Sequence, residues 1–146
     1  MEHSASRQGR RLQLVGVLLF LLALIVGILI PKFAVPRVAL SVHLLGIMQG
    51  TFLIAIGLLW PKLAFGRGVS RVTFSLAVYG CIGAWVSNLL AATWGAGSAL
   101  LPFAAGHAQG STAQEMAIAI GLRSAAVSLI GAAVLIGWGL LAARDD

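Results

Sequence analysis

The chain has 146 residues, of which 60% are hydrophobic and 10% are charged, and its formal net charge is +6. Soluble domains are about 45–50% apolar and about 25% charged, so this composition excludes an ordinary water-soluble domain. It also excludes intrinsic disorder, which requires low hydrophobicity. We expect one domain spanning residues 1–146. The single cysteine, Cys81, excludes an internal disulfide and a cysteine zinc site.

Four apolar stretches follow one another along the chain, at roughly residues 12–30, 38–60, 72–93 and 114–141. Each is long enough to cross a bilayer, which takes about 20 residues of helix. Helices are favoured because they satisfy their own backbone groups in lipid, and the stretches lack the alternation of a membrane strand. We therefore predict an all-α integral membrane protein with a bundle of four transmembrane helices.

The first apolar stretch follows Arg7, Arg10 and Arg11, as the core of a signal peptide would. It is longer than such a core, and the residues after it form a poor cleavage site, so we predict a retained helix. Pro31 and Pro36 bracket the first turn. The longest connection, residues 95–113, is rich in Gly, Ala and Ser, and is interpreted as a loop.

Positive charges predict how the chain lies in the membrane. One side carries seven Lys and Arg residues and the other carries two, Lys32 and Arg37. The seven are Arg7, Arg10, Arg11, Lys62, Arg67, Arg71 and Arg144. By the positive-inside rule both termini are then cytoplasmic. Because these charges lie in short segments beside the membrane, not in a basic groove with aromatic residues, we expect no nucleic-acid partner.

Polar side chains within the apolar stretches are candidate functional residues, because such groups are costly in lipid and usually have a role there. They are His43, Gln49, Asn88, Glu115 and Arg123. At ~1.5 Å of rise per residue, they are expected to form one polar layer in the outer half of the membrane. Gln49 and Asn88 also suit hydrogen bonds between helices. Arg123 needs an anionic partner, either Glu115 or a bound ligand.

His43 shares a helix face with Gly46, Gly50 and Gly57. A neighbouring helix can fill the depression above these glycines. A planar macrocycle can fill it as well, with His43 as axial ligand of its iron. The apolar stretches contain no second histidine, so a bound haem would keep an open iron face, which suits Lewis-acid chemistry. The sequence shows no catalytic triad, phosphate loop or carboxylate pair.

The segments 40–55, 58–62, 79–92 and 94–107 resemble hydroxylaminobenzene mutases in their order and spacing. A more distant likeness is to styrene oxide isomerases, small four-helix membrane enzymes. These share the helical histidine, an amide–glycine pair six and seven residues later, and the turn at residues 61–65. The likeness covers nearly the whole chain.

The resemblance implies ferric haem b with His43 as its axial and metal ligand, a trimeric assembly, and a substrate-facing amide at Gln49. It also implies conversion of an aryl hydroxylamine to an ortho-aminophenol. Two polar positions of the isomerases' third helix, an acid and a tyrosine, fall here on Gly80 and Asn88. This departure favours the mutases over epoxide isomerisation.

We therefore predict a multi-pass isomerase of the bacterial inner membrane that acts on a small apolar aromatic hydroxylamine. Gln49 and Asn88 are the predicted catalytic residues, which orient the substrate. His43, Gly46, Gly50 and Arg123 are the predicted cofactor contacts. The alternatives are an epoxide-to-aldehyde isomerase, a small membrane assembly protein without enzymatic activity, and a transporter.

Overall fold

The computed structural model describes residues 2–143, with side chains from residue 6 onward, and it is entirely helical apart from its turns and loops. The helices are α1 (Glu2–Leu29), α2 (Pro36–Leu59), α3 (Arg67–Trp94), α4 (Pro102–Ala105) and α5 (Thr112–Ala142). Within the described residues, α1, α2, α3 and α5 are long and apolar enough to cross a membrane. This confirms the four long apolar helices that the sequence predicts. Arg144, one of the seven counted cations, lies outside the described residues.

The helix ends follow from local chemistry. Helix α1 begins well before its apolar stretch because Gln and Arg are good helix formers outside the lipid. Pro31 lies in a short 3-10 turn, and Pro36 occupies the first turn of α2, where its missing N–H has no cost. Gly95, with φ +66°, ends α3 in the left-handed conformation that glycine favours. The predicted loop after it contains the one-turn helix α4.

The long helices pack mainly as two pairs, and α1 also touches α3. Helix α1 packs along α2, α5 packs along α3, and the two pairs are joined by contacts between α2 and α3. Within the described residues, α3 is the one long helix against which α5 packs extensively. Helix α2 therefore has one side against α1 and another that borders α3 and α5.

Small residues bring α1 and α2 into direct backbone contact. A Cβ atom built on Gly16 would lie 2.6 Å from the Gly50 carbonyl oxygen, and one built on Gly9 would lie 2.6 Å from the Gly57 carbonyl oxygen. These pairs recur every seven residues, and the next pair in the series is Ala23 with His43. We call these six residues, Gly9, Gly16 and Ala23 with His43, Gly50 and Gly57, the α1–α2 seam.

Aromatic residues hold α3 against α2. The indole N–H of Trp85 donates to the Val42 carbonyl oxygen at 3.1 Å in a buried contact. At the turn between α2 and α3, the buried Trp60 ring makes edge-on contacts with Phe65 and Phe74, at centroid distances of 5.8 and 6.3 Å. These contacts fix α3 relative to α2 and so determine which α3 residues face the polar side chains of α2.

Candidate functional site

His43 is held by the backbone of α1. Its Nδ1 lies 2.8 Å from the Ala23 carbonyl oxygen. A carbonyl can only accept, so Nδ1 carries the proton and Nε2 of the neutral ring keeps a free lone pair. Within the described residues, Nε2 makes no hydrogen bond. A ring fixed through one nitrogen, with the other available, is the usual arrangement of a metal-ligating histidine.

The imidazole of His43 lies directly over Gly27 of α1. A Cβ built on Gly27 would lie 2.7 Å from Cε1 of His43 and 3.2 Å from its Cγ, so even an alanine would displace the ring. Neither Gly27 nor Ala23 was among the candidate residues inferred from the sequence. The signal that was available is the seven-residue series of small residues in α1, which continues from Gly9 and Gly16 to Ala23.

The glycines of α2 are covered by other helices. A Cβ on Gly46 would lie 2.6 Å from both the Ala23 Cβ and the Trp85 Nε1, and one on Gly50 would lie 2.7 Å from the Gly16 carbonyl oxygen. Helix packing, one of the two interpretations left open by the sequence, therefore accounts for them. Within one chain the space above Gly46 and Gly50 is filled by neighbouring helices, and their role as cofactor contacts stays a prediction.

Gln49 faces an apolar groove on the other side of α2. The groove has a volume of about 380 Å³ and is lined by Leu45, Met48, Gln49, Phe52, Cys81, Leu129 and Ala133. We call this set the Gln49 groove. The Gln49 side chain is buried, and its Oε1 has no hydrogen-bond partner. An unpartnered buried acceptor is rare in folded proteins and requires an explanation.

Asn88 lines an adjoining hollow. Its Nδ2 donates to the Ala84 carbonyl oxygen of its own helix at 2.9 Å, which leaves Oδ1 as an acceptor. The hollow has a volume of about 360 Å³, and Leu45 and Met48 line both it and the Gln49 groove. The structure thus places Gln49 and Asn88 on neighbouring parts of one surface. It does not bring them to His43, which packs on the α1 side of α2.

The remaining predicted site residues lie elsewhere. The Glu115 carboxylate accepts hydrogen bonds from the backbone N–H groups of Gly97 at 2.8 Å and Gly110 at 3.0 Å, and so fixes the loop after α3. It is not the partner of Arg123. The Arg123 side chain is exposed on α5 and forms no hydrogen bond or ion pair with any described residue. The five polar residues therefore do not converge on one site within a single chain.

The metal-binding side chains of this protein suit an iron macrocycle, because the macrocycle itself supplies most of the ligands of the iron. The described residues contain no group of three or more His, Cys, Asp and Glu that could hold an ion. One prepared histidine is nevertheless what an iron macrocycle requires from the protein. The chemistry of His43 therefore fits such a cofactor.

Comparison with known proteins connects this architecture to a family. The sequence model of the styrene oxide isomerase family matches residues 8–141. Hydroxylaminobenzene mutase HabB of Ectopseudomonas oleovorans is 47% identical over 134 residues, which cover 92% of this chain and 82% of that protein.

Hydroxylaminobenzene mutase HabA of the same organism is 37% identical over 126 residues, covering 86% of this chain and 93% of that protein. No solved structure matches the chain. The resemblance inferred from the sequence is confirmed. The chain therefore belongs to the styrene oxide isomerase family and is homologous to hydroxylaminobenzene mutases, which are isomerases.

Proposed function

We propose that this protein is a membrane isomerase that converts an N-arylhydroxylamine into an ortho-aminophenol, with the substrate bound in the Gln49 groove. The observation that carries the proposal is the buried Oε1 of Gln49, which lacks a partner. Leaving such a group unsatisfied costs about 1–3 kcal/mol, and in our proposal the amide turns toward the groove, where an N–H or O–H group of the substrate removes that cost. Homology to the hydroxylaminobenzene mutases HabB and HabA supports the hydroxylamine class.

The groove suits a small aromatic substrate. Its volume of about 380 Å³ lies near the lower end of ligand pockets, which span ~300–1,000 Å³. Its lining is apolar apart from Gln49 and the Cys81 thiol. Met48, which lines the groove, is 69% exposed on the outer side of the helices. An apolar substrate would therefore enter from the surrounding lipid.

The reaction needs positioning and no external oxidant or reductant. The N–O bond breaks, a C–O bond forms at the ortho carbon, and the proton lost from that carbon balances the one gained at nitrogen. In our proposal Gln49 Oε1 accepts a hydrogen bond from the hydroxylamine, and Asn88 Oδ1 offers a second acceptor. Holding the ring in one orientation selects the ortho carbon. The apolar lining excludes water that would otherwise add to the ring.

His43 is the residue that would hold ferric haem b. Bound there, the haem would supply a Lewis acid able to polarise the N–O bond. Arg123 would contact a propionate group or close a contact with a neighbouring copy. Because His43 and Gln49 lie on different sides of α2, we propose that copies of the chain assemble, as the trimeric isomerases do, and that a second copy completes the site.

The activity test uses purified protein in detergent. Phenylhydroxylamine is added without oxygen or soluble cofactors, and styrene oxide is offered in parallel. We expect 2-aminophenol from the first substrate. Failure to form it would exclude the mutase activity, and phenylacetaldehyde from styrene oxide alone would favour the epoxide isomerase instead.

A separate measurement tests the cofactor. The visible spectrum of the same preparation is expected to show a Soret band that is lost in His43→Ala and kept in Gln49→Leu. A colourless preparation with full activity would contradict the haem assignment while leaving the assignment of the reaction intact.

A further inference from the structure

Four arginines surround a pocket at the end of the molecule that is predicted to face the cytoplasm. The pocket has a volume of about 260 Å³ and is lined by Arg7, Gln8, Arg11, Arg67, Ser70 and Arg71. We call it the arginine pocket. Arg7 and Arg11 are four residues apart on α1, and Arg67 and Arg71 are four residues apart on α3. Residues at this spacing share a helix face, so two basic faces meet across the pocket.

A polar contact at the base of the pocket holds the two faces together. The Gln8 Oε1 atom accepts a hydrogen bond from the Ser70 hydroxyl at 2.7 Å and another from the Trp60 indole N–H at 3.3 Å. Ser70 is 8% exposed and Trp60 is 1% exposed. This contact joins α1 to α3 and to the turn that follows α2. These hydrogen bonds therefore fix the relative position of the two helices that carry the arginines.

The positive charge around the pocket favours a bound anion. Among the described side chains the chain has a single carboxylate, that of Glu115, which is engaged by the loop after α3 at the opposite end. The side chains of Arg11, Arg67 and Arg71 form no hydrogen bond or ion pair with any described residue. Like charges held near one another repel, and an anion between Arg11, Arg67 and Arg71 would relieve that repulsion.

The start of α3 adds to this field. Gly66, the residue before its first turn, supplies no side-chain cap. The first backbone N–H groups of the helix therefore remain available beside Arg67 and Ser70. Guanidinium groups and helix N-termini both favour phosphate oxygens.

We propose that the arginine pocket is a phosphate-binding site. Its position at the boundary of two apolar spans suits the headgroup phosphate of an anionic phospholipid, for which basic pockets between transmembrane helices are a known mode of recognition. Inorganic phosphate has the same chemistry, and the experiment separates the two sources. The proposal concerns a site distinct from the Gln49 groove and does not depend on the isomerase activity.

The test measures thermal unfolding of the full-length protein in neutral detergent and phosphate-free buffer. The added probes are short-chain phosphatidylglycerol, short-chain phosphatidylcholine and inorganic phosphate. A ligand that binds only the folded state raises the unfolding midpoint. We expect phosphatidylglycerol to raise it and phosphatidylcholine, which has no net charge, to leave it unchanged. A rise with inorganic phosphate alone would assign the site to free phosphate.

Two double variants each remove two positive charges, one at the arginine pocket and the other at the opposite end of the molecule. In the variant Arg67→Gln with Arg71→Gln, the concentration of active probe needed for half of the effect should rise about tenfold or more. In the matched control, Lys32→Gln with Arg37→Gln, it should not change. Arg11→Gln, a single change on α1, provides a second variant if the first does not fold.

Three outcomes would overturn the proposal. One is that neither phosphatidylglycerol nor inorganic phosphate changes the midpoint. Another is an equal weakening in the variants at both ends, which would indicate general electrostatic attraction. The third is an equal response to phosphatidylcholine, which would indicate a general effect of lipid.

Discussion

The two sides of α2 differ in how they use their small and polar residues. On the α1 side, Gly50 and Gly57 bring two backbones together, and His43 occupies the next position of the same seven-residue series. On the other side, Gln49 is buried beside a groove that no side chain of the described structure fills. One side is closed and supports a fixed histidine, whereas the other keeps space for a ligand.

This difference separates structural from chemical requirements within a single helix. Close packing of small residues is the usual way in which membrane helices associate, because lipid provides little hydrophobic drive between them. The α1–α2 seam uses that packing to orient the His43 ring. The Gln49 groove keeps a polar atom without a partner, and binding sites often retain such local costs. A substitution in the α1–α2 seam should therefore lower the stability of the protein. A substitution of Gln49 should instead lower activity and leave stability unchanged or higher.

The largest effect is expected from adding a methyl group inside the α1–α2 seam, where the two backbones are in contact. Gly16→Ala places a Cβ 2.6 Å from the Gly50 carbonyl oxygen, and the helices must move apart. Overpacking of this kind costs about 1–3 kcal/mol or more. We expect a clear fall in the free energy of unfolding, measured by titration with a denaturing detergent.

The matched control is Gly137→Ala on α5, where a Cβ would meet nothing within 4 Å. Alanine favours a helix over glycine by about 0.5–1 kcal/mol, so this variant should be as stable as the parent or slightly more stable. Equal losses of stability in the two variants would contradict the specific role of the seam.

The second prediction addresses the open side of α2. Gln49→Leu removes the unpartnered acceptor at similar volume, so we expect unchanged or higher stability. Loss of a substrate hydrogen bond worth about 1–3 kcal/mol corresponds to a roughly 5- to 150-fold fall in kcat/KM. Turnover of phenylhydroxylamine and detergent unfolding are measured on the same preparation. The neighbouring change Met48→Leu, which conserves volume, should leave turnover nearly unchanged. A Gln49→Leu variant that unfolds easily would instead indicate a structural glutamine.

The sequence was sufficient for the four long apolar helices, because such stretches are determined by local composition. The depth of each polar residue in the membrane stays a prediction. The sequence was not sufficient for the direction in which each side chain points relative to neighbouring helices. His43 and Gln49 are six residues apart in one helix, yet only the positions of α1 and α3 decide what each of them meets.

The residues that prepare His43 illustrate the same limit. Gly27 and Ala23 carry no side-chain chemistry, and they act through a vacant Cβ position and a carbonyl oxygen. Their roles depend on the antiparallel register between α1 and α2, which composition does not reveal. Arg123 shows the reverse case. Its charge made it a candidate, but within one chain it meets no partner among the described residues.

Substitution of Arg123 tests whether the face of α5 that carries it forms a contact between copies of the chain. Among the described helices, α5 packs extensively on α3 alone, and Arg123 lies about 16 Å from the start of α5 along its axis. A charge at that depth is costly unless it is paired, so we expect it to lie at a contact between copies. Losing a hydrogen bond from a charged group, worth about 1.5–3 kcal/mol, should make Arg123→Leu dissociate at concentrations at least about tenfold higher than the parent.

Light scattering coupled to size-exclusion chromatography measures that dissociation. Arg37→Leu, which removes a cation from the start of α2, is the matched control and should assemble as the parent does. An Arg123→Leu variant with unchanged assembly would place the guanidinium outside the subunit contact.

The smallest effect is expected where α5 begins. Helix α2, which packs against α1 and α3, begins at Pro36, and the residue before it, Val35, provides no side-chain cap. Helix α5 starts with a capping box, in which Ser111 accepts a hydrogen bond from the Gln114 backbone N–H and the Gln114 side chain accepts one from the Ser111 N–H. Ser111→Ala should therefore lower the free energy of unfolding by about 1 kcal/mol.

The comparison with α2 makes this prediction specific. If α5 depends more on local interactions because it packs extensively on one long helix among those described, Ser111→Ala should increase hydrogen exchange in its first turns. Exchange along the α1–α2 seam should stay unchanged. Ser41→Ala is a suitable control, because its exposed hydroxyl bonds only to the Arg37 carbonyl oxygen one turn earlier in α2. Uniformly faster exchange in both helix pairs would show that α5 is held by the fold as a whole and not by its own cap.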